Sequence, residues 1–385
     1  MRLNVGIYNL HMQAMGGGEK LTLVLAEQLS REYDVSLFCA EPLDVRTLEQ
    51  FFDVDLDRVN VQCLDGPRPL PRFAARLRGD TAATLCEQHY RQLRKLNLDV
   101  FINNSYASGL ICPAAHGIFV CMFPHATPVR SAVDSYETIV AISDFSAAWV
   151  RQRWQREAEI IYPPCDDMGP PSTKEKIILH VGRFIADSDQ DERHHKRQDL
   201  LLNAFKSMTD LQQGWQLHFA GSLGVDRRSR EFAAALGDNA AGLPVFFHFN
   251  SPRDDVRELY RKASIYWHAT GFGFAVNDYP GKQEHFGITT VEAMSAAAVP
   301  VVYASGGQKE IVTDAVDGFW WNDFDELAQQ TRKLVKDEDL RRRLGQQAVT
   351  SSRRFGKQTF AERIDQLISR TRDRLKRKSW SNSAD

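Results

Sequence analysis

The chain has 385 residues, a formal net charge of -2, and 43% hydrophobic and 25% charged residues. These are globular values: the length suits two domains with cores of their own, and the near-neutral balance gives no reason to expect nucleic acid as the main partner. No stretch reaches the roughly 20 apolar residues of a membrane span; the nearest, Gly109 to Pro124, is broken by Pro113 and His116.

Met1 to Gly6 runs straight into a strand over Leu3 to Leu10, without a signal-peptide pattern. His11 to Gly18 ends in three glycines and precedes an amphipathic helix from about Glu19 to Ser30. Strand, glycine-rich turn and helix open a Rossmann-like unit, although Gly16-Gly17-Gly18 lacks the spaced glycines of a dinucleotide binder, which sets hydride transfer aside. Val35 to Ala40, Val59 to Leu64, Val100 to Asn104, Ile118 to Phe123 and Thr138 to Ser143 read as buried strands of a mostly parallel sheet. Asp53-Val54-Asp55-Leu56-Asp57 imitates an acidic metal motif, but in an N-terminal loop no metal is expected there. Arg68, Arg72, Arg76 and Arg78 surround Phe73 and Leu77, and this segment reads either as a basic amphipathic patch for anionic lipid or as a solvated loop and helix start. His125 follows a strand and Pro124, at the strand end where open α/β sheets place ligands; His116 competes with it, and Asn103, Asn104 and Tyr106 follow another strand end. Cys39, Cys63, Cys86, Cys112, Cys121 and Cys165 show no metal spacing and read as reduced thiols of a cytoplasmic protein.

Ser143 to Trp154 predicts a helix, and Ile160 to Cys165 a strand closing the first domain. Asp166 to Lys176, with Gly169, Pro170 and Pro171, predicts a linker. The second domain opens with a strand over Ile177 to Val181 that ends in Gly182-Arg183-Phe184, and Lys196 opens a helix. Between them Asp187, Asp189, Asp191 and Glu192 make an acidic loop, expected to be solvated rather than metal-binding. Strands over Leu217 to Ala220 and Val245 to Phe249 end at Gly221-Ser222 and Asn250-Ser251.

The stretch Tyr266 to Ile311 carries the chemistry, with Glu284-His285-Phe286-Gly287-Ile288-Thr289-Thr290-Val291-Glu292 at its centre. Phe286-Gly287-Ile288 predicts a tight turn and Thr289 to Ala298 a helix, so the two acids sit on different elements and cannot share one proton. Gly287 lets a ligand approach the backbone, and the amides of Ile288, Thr289 and Thr290 are expected to face an anion. A phosphate site flanked by two carboxylates suits a nucleoside-diphosphate sugar, which offers a diol on each side. Ala275 to Gln283 is expected to be a flexible loop that orders with donor. Gly306-Gly307-Gln308 starts a short helix whose amides are expected to face the sugar or phosphate. Thr359 to Leu375 predicts a helix, and the basic tail from Arg370 to Trp380 reads equally as a solvated terminus or a weak membrane anchor.

The Glu-x7-Glu pair, with Tyr266-Trp267-His268-Ala269-Thr270-Gly271-Phe272-Gly273 before it and Gly306-Gly307-Gln308-Lys309-Glu310-Ile311 after it, resembles the retaining glycosyltransferases of family four. Tyr162-Pro163-Pro164-Cys165 and Glu284 to Gly287 add a weaker similarity to mannosyltransferases that extend lipid-linked oligosaccharides. The resemblance implies an α/β GT-B protein: two Rossmann-like domains facing across a cleft, with the C-terminal helix crossing back to the first. The expected division is 1–165, an acceptor-side domain; 166–176, a linker; 177–356, a nucleotide-sugar domain; and 357–385, a helix and basic tail. By the same resemblance Glu284 holds the donor sugar, Glu292 the ribose, Arg183 and Lys196 clamp the diphosphate, and His125 contacts the sugar. Gly17 and Gly18 close over the diphosphate, His11 and Tyr106 line the acceptor site, and Gly182, Gly221, Asn250, Phe286, Gly287, Ile288 and Thr289 complete the donor site. Ala297 stands where the family has Gly, a swap expected to tighten helix-to-strand packing.

The implied reaction moves a sugar, with a lean to GDP-mannose, onto a hydroxyl of a glycan or lipid-linked acceptor with retention. No cofactor and no metal are implied, and contact is expected with the inner face of an anionic membrane. A sugar-nucleotide epimerase or hydrolase, and a non-catalytic partner subunit, are the alternatives; intact Arg183, Lys196, Glu284 and Glu292 argue against the last.

Overall fold

The apolar runs become two parallel sheets in a computed structural model that describes residues 2–14, 16–66, 79–105, 109–186 and 195–381. Arg68 to Arg78, Tyr106 and the acidic run from Asp187 to Glu192 lie outside the described residues, as do the side chains of the tail from Lys376 onward. The chain divides into two units, Met1–Pro164 with Lys357–Asp385, and Cys165–Gly356.

In the first unit, strands β1 (Asn4–Tyr8), β2 (Asp34–Cys39), β3 (Val59–Cys63), β4 (Val100–Asn103), β5 (His116–Cys121), β6 (Thr138–Ala141) and β7 (Glu159–Ile160) pair in the order β3-β2-β1-β4-β5-β6-β7, all parallel. The interior strands are buried on both faces and therefore read as unbroken apolar runs instead of alternating ones. Helices α1 (Gly17–Ser30), α2 (Val45–Phe52), α3 (Gly79–Leu93), α4 (Arg130–Asp134) and α5 (Asp144–Trp154) connect them. Asp44 caps α2 and Ser143 caps α5, each side chain accepting a first-turn amide. Tyr8, Phe38, Phe101, Phe119, Tyr136 and Trp154 build the core. The expected strand over Ile160 to Cys165 is realised only as β7, because Pro163 and Pro164 bring no ladder donors.

In the second unit, β8 (Glu175–Val181), β9 (Gln216–Gly221), β10 (Val245–Phe249), β11 (Ala263–His268), β12 (Val299–Tyr303) and β13 (Phe319–Trp321) run in the order β10-β9-β8-β11-β12-β13. Around them lie α6 (Gln198–Ser207), α7 (Arg227–Asn239), α8 (Arg253–Lys262), α9 (Ile288–Ser295), α10 (Gln308–Ile311), α11 (Phe324–Lys336) and α12 (Glu338–Ser352). The last helix, α13 (Lys357–Ser381), belongs to the first unit, where Asp365 accepts from Gln28, Arg370 donates to Glu159 and Arg374 to Glu137.

Two expectations need correction. Residues 166–176 do not stand apart as a linker but are bound into the second unit. Asp166 pairs with Arg253, the Met168 amide donates to Ser295 Oγ, and Lys174 Nζ donates to the carbonyls of Ala263 and Ala296 at 2.7 and 2.5 Å. One ammonium thus serves the C-terminal ends of both α8 and α9, where a cation is favoured. Second, Ala297 does not improve packing. It follows the C-terminus of α9 with φ +60°, the left-handed position that glycine fills without strain. Ala297→Gly is therefore expected to raise stability by about 1 kcal/mol, read as a higher urea midpoint with an unchanged slope.

Candidate active site

The site in the second unit starts from β11, whose alternation puts Tyr266 and His268 on one face and Trp267 on the other. Tyr266 OH donates to Thr289 Oγ1 (2.8 Å) at the start of α9. At the strand end, His268 Nε2 lies 3.0 Å from Glu284 Oε2, and Lys196 Nζ donates to the same oxygen at 2.5 Å. His268 is buried, and burial holds its pKa below the ordinary histidine range although Glu284 pulls the other way. The neutral ring therefore donates Nε2–H to the carboxylate and leaves Nδ1 as a buried lone pair. Glu284 is held between a cation and a neutral donor.

The backbone under Glu284 is set by two glycines. Gly306 has φ +57°, and a Cβ there would lie 2.2 Å from the Glu284 carbonyl; the Gly307 amide donates to that carbonyl at 2.8 Å. Two amides of the Gly306-Gly307-Gln308 turn are thus spent within the protein and not on a ligand as expected: Gly307 serves the Glu284 carbonyl and Gln308 the Ser305 carbonyl. The loop before Glu284 is also tied, with Gln283 buried, its Nε2 donating to Phe274 and Tyr279 carbonyls and its Oε1 accepting from Ser305 Oγ. These bonds anchor the C-terminal base of the Ala275 to Gln283 loop, below an exposed Tyr279.

Gly287 starts α9 with φ +123°. Its carbonyl accepts from the amides of Thr290 and Val291, so Thr290 leaves the expected anion-binding set and the first-turn amides of Ile288 and Thr289 remain ahead of the helical ladder. Ile288 and Thr289 are half-buried, and Phe286 is buried against Phe355. Gln308 braces the turn: its Oε1 accepts from Thr290 Oγ1 and its Nε2 reaches the Phe286 carbonyl at 3.4 Å. One turn into α9, Glu292 Oε2 accepts from the buried Tyr260 OH at 3.1 Å. Removing that hydroxyl in Tyr260→Phe is expected to weaken nucleoside-diphosphate binding roughly 10–100-fold by titration calorimetry, the net value of one bond to a charged group being about 1.5–3 kcal/mol, with turnover at saturating donor unchanged.

Gly182 follows β8, and a Cβ there would meet Lys196 Cγ at 2.9 Å, so the lysine stem crosses directly over it. Gly221 ends β9 at φ +153°, its would-be Cβ 2.2 Å from the Gly182 carbonyl. Lys196 does not open a helix itself: it precedes Arg197, left-handed at φ +56°, and α6 begins at Gln198, whose Nε2 donates to the carbonyls of Gly182 and Arg183. The Arg183 side chain is exposed beside this turn. Asn250, also left-handed, accepts from the Leu223 amide through Oδ1. Beneath them His180 donates Nδ1–H to the Trp267 carbonyl, and burial pulls its pKa down to about 3.

The remaining expected residues stand in the first unit. Gly17 is the first residue of α1 and Gly18 packs on Met122, whose Cε would lie 2.4 Å from an added Cβ. The half-buried His11 donates its amide to Asn9 Oδ1, and Thr22 Oγ1 accepts from both Asn9 and Asn104. His125 follows β5 and its carbonyl accepts from the Trp154 indole. The exposed Asp55 and Asp57, on the turn after α2, approach the half-buried Glu49 of that helix, and loop amides donate to Glu49 and Asp55. Sequence reasoning passed over His268, Gln308 and Tyr260. His268 alone was findable, as a polar residue at the C-terminal end of an apolar strand.

The family model described as "Glycosyl transferases group 1" matches residues 168–350. The chain is 26% identical to the alpha-1,3/1,6-mannosyltransferase alg-2 of Neurospora crassa, over 92% of this chain and 88% of that protein. It is 30% identical to the GDP-Man:Man(3)GlcNAc(2)-PP-Dol alpha-1,2-mannosyltransferase of Yarrowia lipolytica, over 42% of this chain and 25% of that protein's length. Among solved structures, sucrose-phosphate synthase from Thermosynechococcus elongatus aligns with a TM-score of 0.74 at 16% identity, covering 96% of this chain and 99% of that one. Anabaena Alr3699/HepE in complex with UDP and glucose aligns at 0.69 and 16%, covering 96% and 100%. Residues 168–350 are thus similar to the glycosyl transferases group 1, and the chain shares its fold with both solved structures.

Proposed function

We propose that the protein transfers mannose from GDP-mannose to a hydroxyl of a lipid-linked glycan, with retention at the anomeric carbon and without a metal. The observation that carries this reading is Glu284 braced by Lys196 and His268 beside the glycine-started α9. In this reading Lys196, Arg183 and the amides of Ile288 and Thr289 receive the charge that develops on the diphosphate when the sugar C–O bond breaks. The electron pair stays on the phosphate oxygen, the acceptor oxygen bonds to the same face of the anomeric carbon, and its proton passes to the departing phosphate. Glu284 accepts from sugar hydroxyls and Glu292 from the ribose diol. The names of the two mannosyltransferases support mannose as the sugar, and the Yarrowia protein's name supports the guanine nucleotide and the lipid-linked acceptor. None of the helices among the described residues is long and apolar enough to cross a membrane, so a lipid-linked acceptor is reached from the membrane surface.

Thermal stabilisation against nucleoside diphosphates and their sugars, without added metal, tests the reading, since a ligand of the folded state raises its melting temperature. GDP is expected to raise it and GDP-mannose to raise it further. A shift with UDP alone would replace the donor. Donor breakdown equally fast without acceptor would turn the reading to a hydrolase, and no shift at all would overturn it.

A further inference from the structure

Cys39 ends β2 and Cys63 ends β3, and the two are direct partners in the parallel register. Neighbouring strands lie about 4.7–4.9 Å apart, inside the roughly 4.4–6.8 Å Cα separation that a disulfide spans. Partners in register project to the same face of a sheet. The two thiols are unlike. Cys39 is 1% exposed and donates to the carbonyls of Glu41 and Gln62 at 3.1 and 3.4 Å. Cys63 is exposed, on the edge strand, and its thiol reaches the Leu64 carbonyl at 3.9 Å. The Leu64 amide donates to the Cys39 carbonyl at 2.8 Å, so the two strand ends are fastened side by side. Burial, and the Cys63 thiol lying against it, push Cys39 up to about 12. Cys39 therefore stays protonated, and Cys63 is the member that meets a reagent from solvent.

We propose that Cys39 and Cys63 are a reversible redox pair that closes by exchange with a small disulfide of the glutathione class. The Cys63 thiolate attacks one sulfur of the small disulfide, whose S–S bond breaks and releases one small thiolate. The Cys39 sulfur, giving its proton to that thiolate, attacks Cys63 Sγ in the resulting mixed disulfide and expels the second small group as a thiolate, which takes a proton from solvent in place of the one Cys63 lost. Two protein thiols are oxidised and one disulfide is reduced to two thiols, so no other reactant enters. The new bond joins edge strand β3 covalently to β2 and closes the segment between residues 39 and 63, which contains α2.

The full-length chain, reduced and then incubated with oxidised glutathione, tests this by intact mass and peptide mapping. The expected product has lost two hydrogens, maps to a Cys39–Cys63 linkage and reverts with dithiothreitol. Cys39→Ser is expected to accumulate one glutathione adduct at Cys63, and Cys63→Ser to gain neither adduct nor bond. A lasting adduct at Cys63 in the unaltered chain without an internal bond, a bond made through Cys86 instead, or an inert Cys63 in Cys39→Ser would each overturn the pairing. The unaltered chain answers the main question even where a variant fails to fold.

Discussion

Lys196→Ala is expected to lower kcat by about 10²–10³-fold, the usual cost of one donor to a developing oxyanion in an enzyme site. The lysine lies over Gly182 with its ammonium 2.5 Å from Glu284, and its side chain is 18% exposed. Truncation removes the cation beside Glu284 and keeps the His268 donor on that carboxylate. Because the two side chains touch, the losses in Lys196→Ala and Glu284→Gln should not add: the double variant is expected to fall little below the worse single one. Steady-state kinetics on all three, with melting temperatures to exclude unfolding, decides the matter. Full activity in Lys196→Ala would remove it from the clamp, and additive losses would mean that the ion pair does not act as a unit.

The second large effect is expected at Gly287. An alanine there meets Gln308 Nε2 at 2.1 Å and Gln308 Cδ at 3.2 Å, and must adopt φ +123°. Gln308 cannot simply swing away, because it is buried and its Oε1 accepts from Thr290 Oγ1. The start of α9 has to move, and the amides of Ile288 and Thr289 move with it. Gly287→Ala is therefore expected to abolish stabilisation by nucleoside diphosphates and to lower the melting temperature of the free protein. Gly169→Ala separates strain from collision: its φ is +84° but nothing lies within 4 Å of an added Cβ. That control is expected to cost only about 1–2 kcal/mol for the left-handed backbone and to keep nucleotide binding. Wild-type nucleotide stabilisation in Gly287→Ala would show that the turn does not bind the diphosphate.

His268, Gln308 and Tyr260 were hard to read in the sequence for a common reason. Each acts by holding another side chain or a turn, and a bond between residues 16 to 32 positions apart leaves no local pattern. The Gly307 amide misled for the opposite reason: locally it looks like a free helix-start donor, and only the folded chain brings the Glu284 carbonyl to it. At Ala297 the residue type was plain but its backbone angle was not, so a strained position passed for a packing improvement.

What the sequence by itself determined is what depends on neighbours along the chain. Apolar runs named the parallel strands, and Gly287 followed by Ile288-Thr289-Thr290 marked the start of α9. The Glu284 and Glu292 spacing, within its wider motif, pointed to the glycosyltransferases whose family model matches residues 168–350. The tertiary structure alone decided which of these groups remain available to a ligand. It gave Glu284 to Lys196 and His268, Glu292 to Tyr260, and the segment 166–176 to the second unit through Asp166, Met168 and Lys174. The reason is physical: propensity and periodicity are short-range properties, whereas the partner of a buried polar group is set by whichever donor or acceptor the packed core brings within about 3 Å of it.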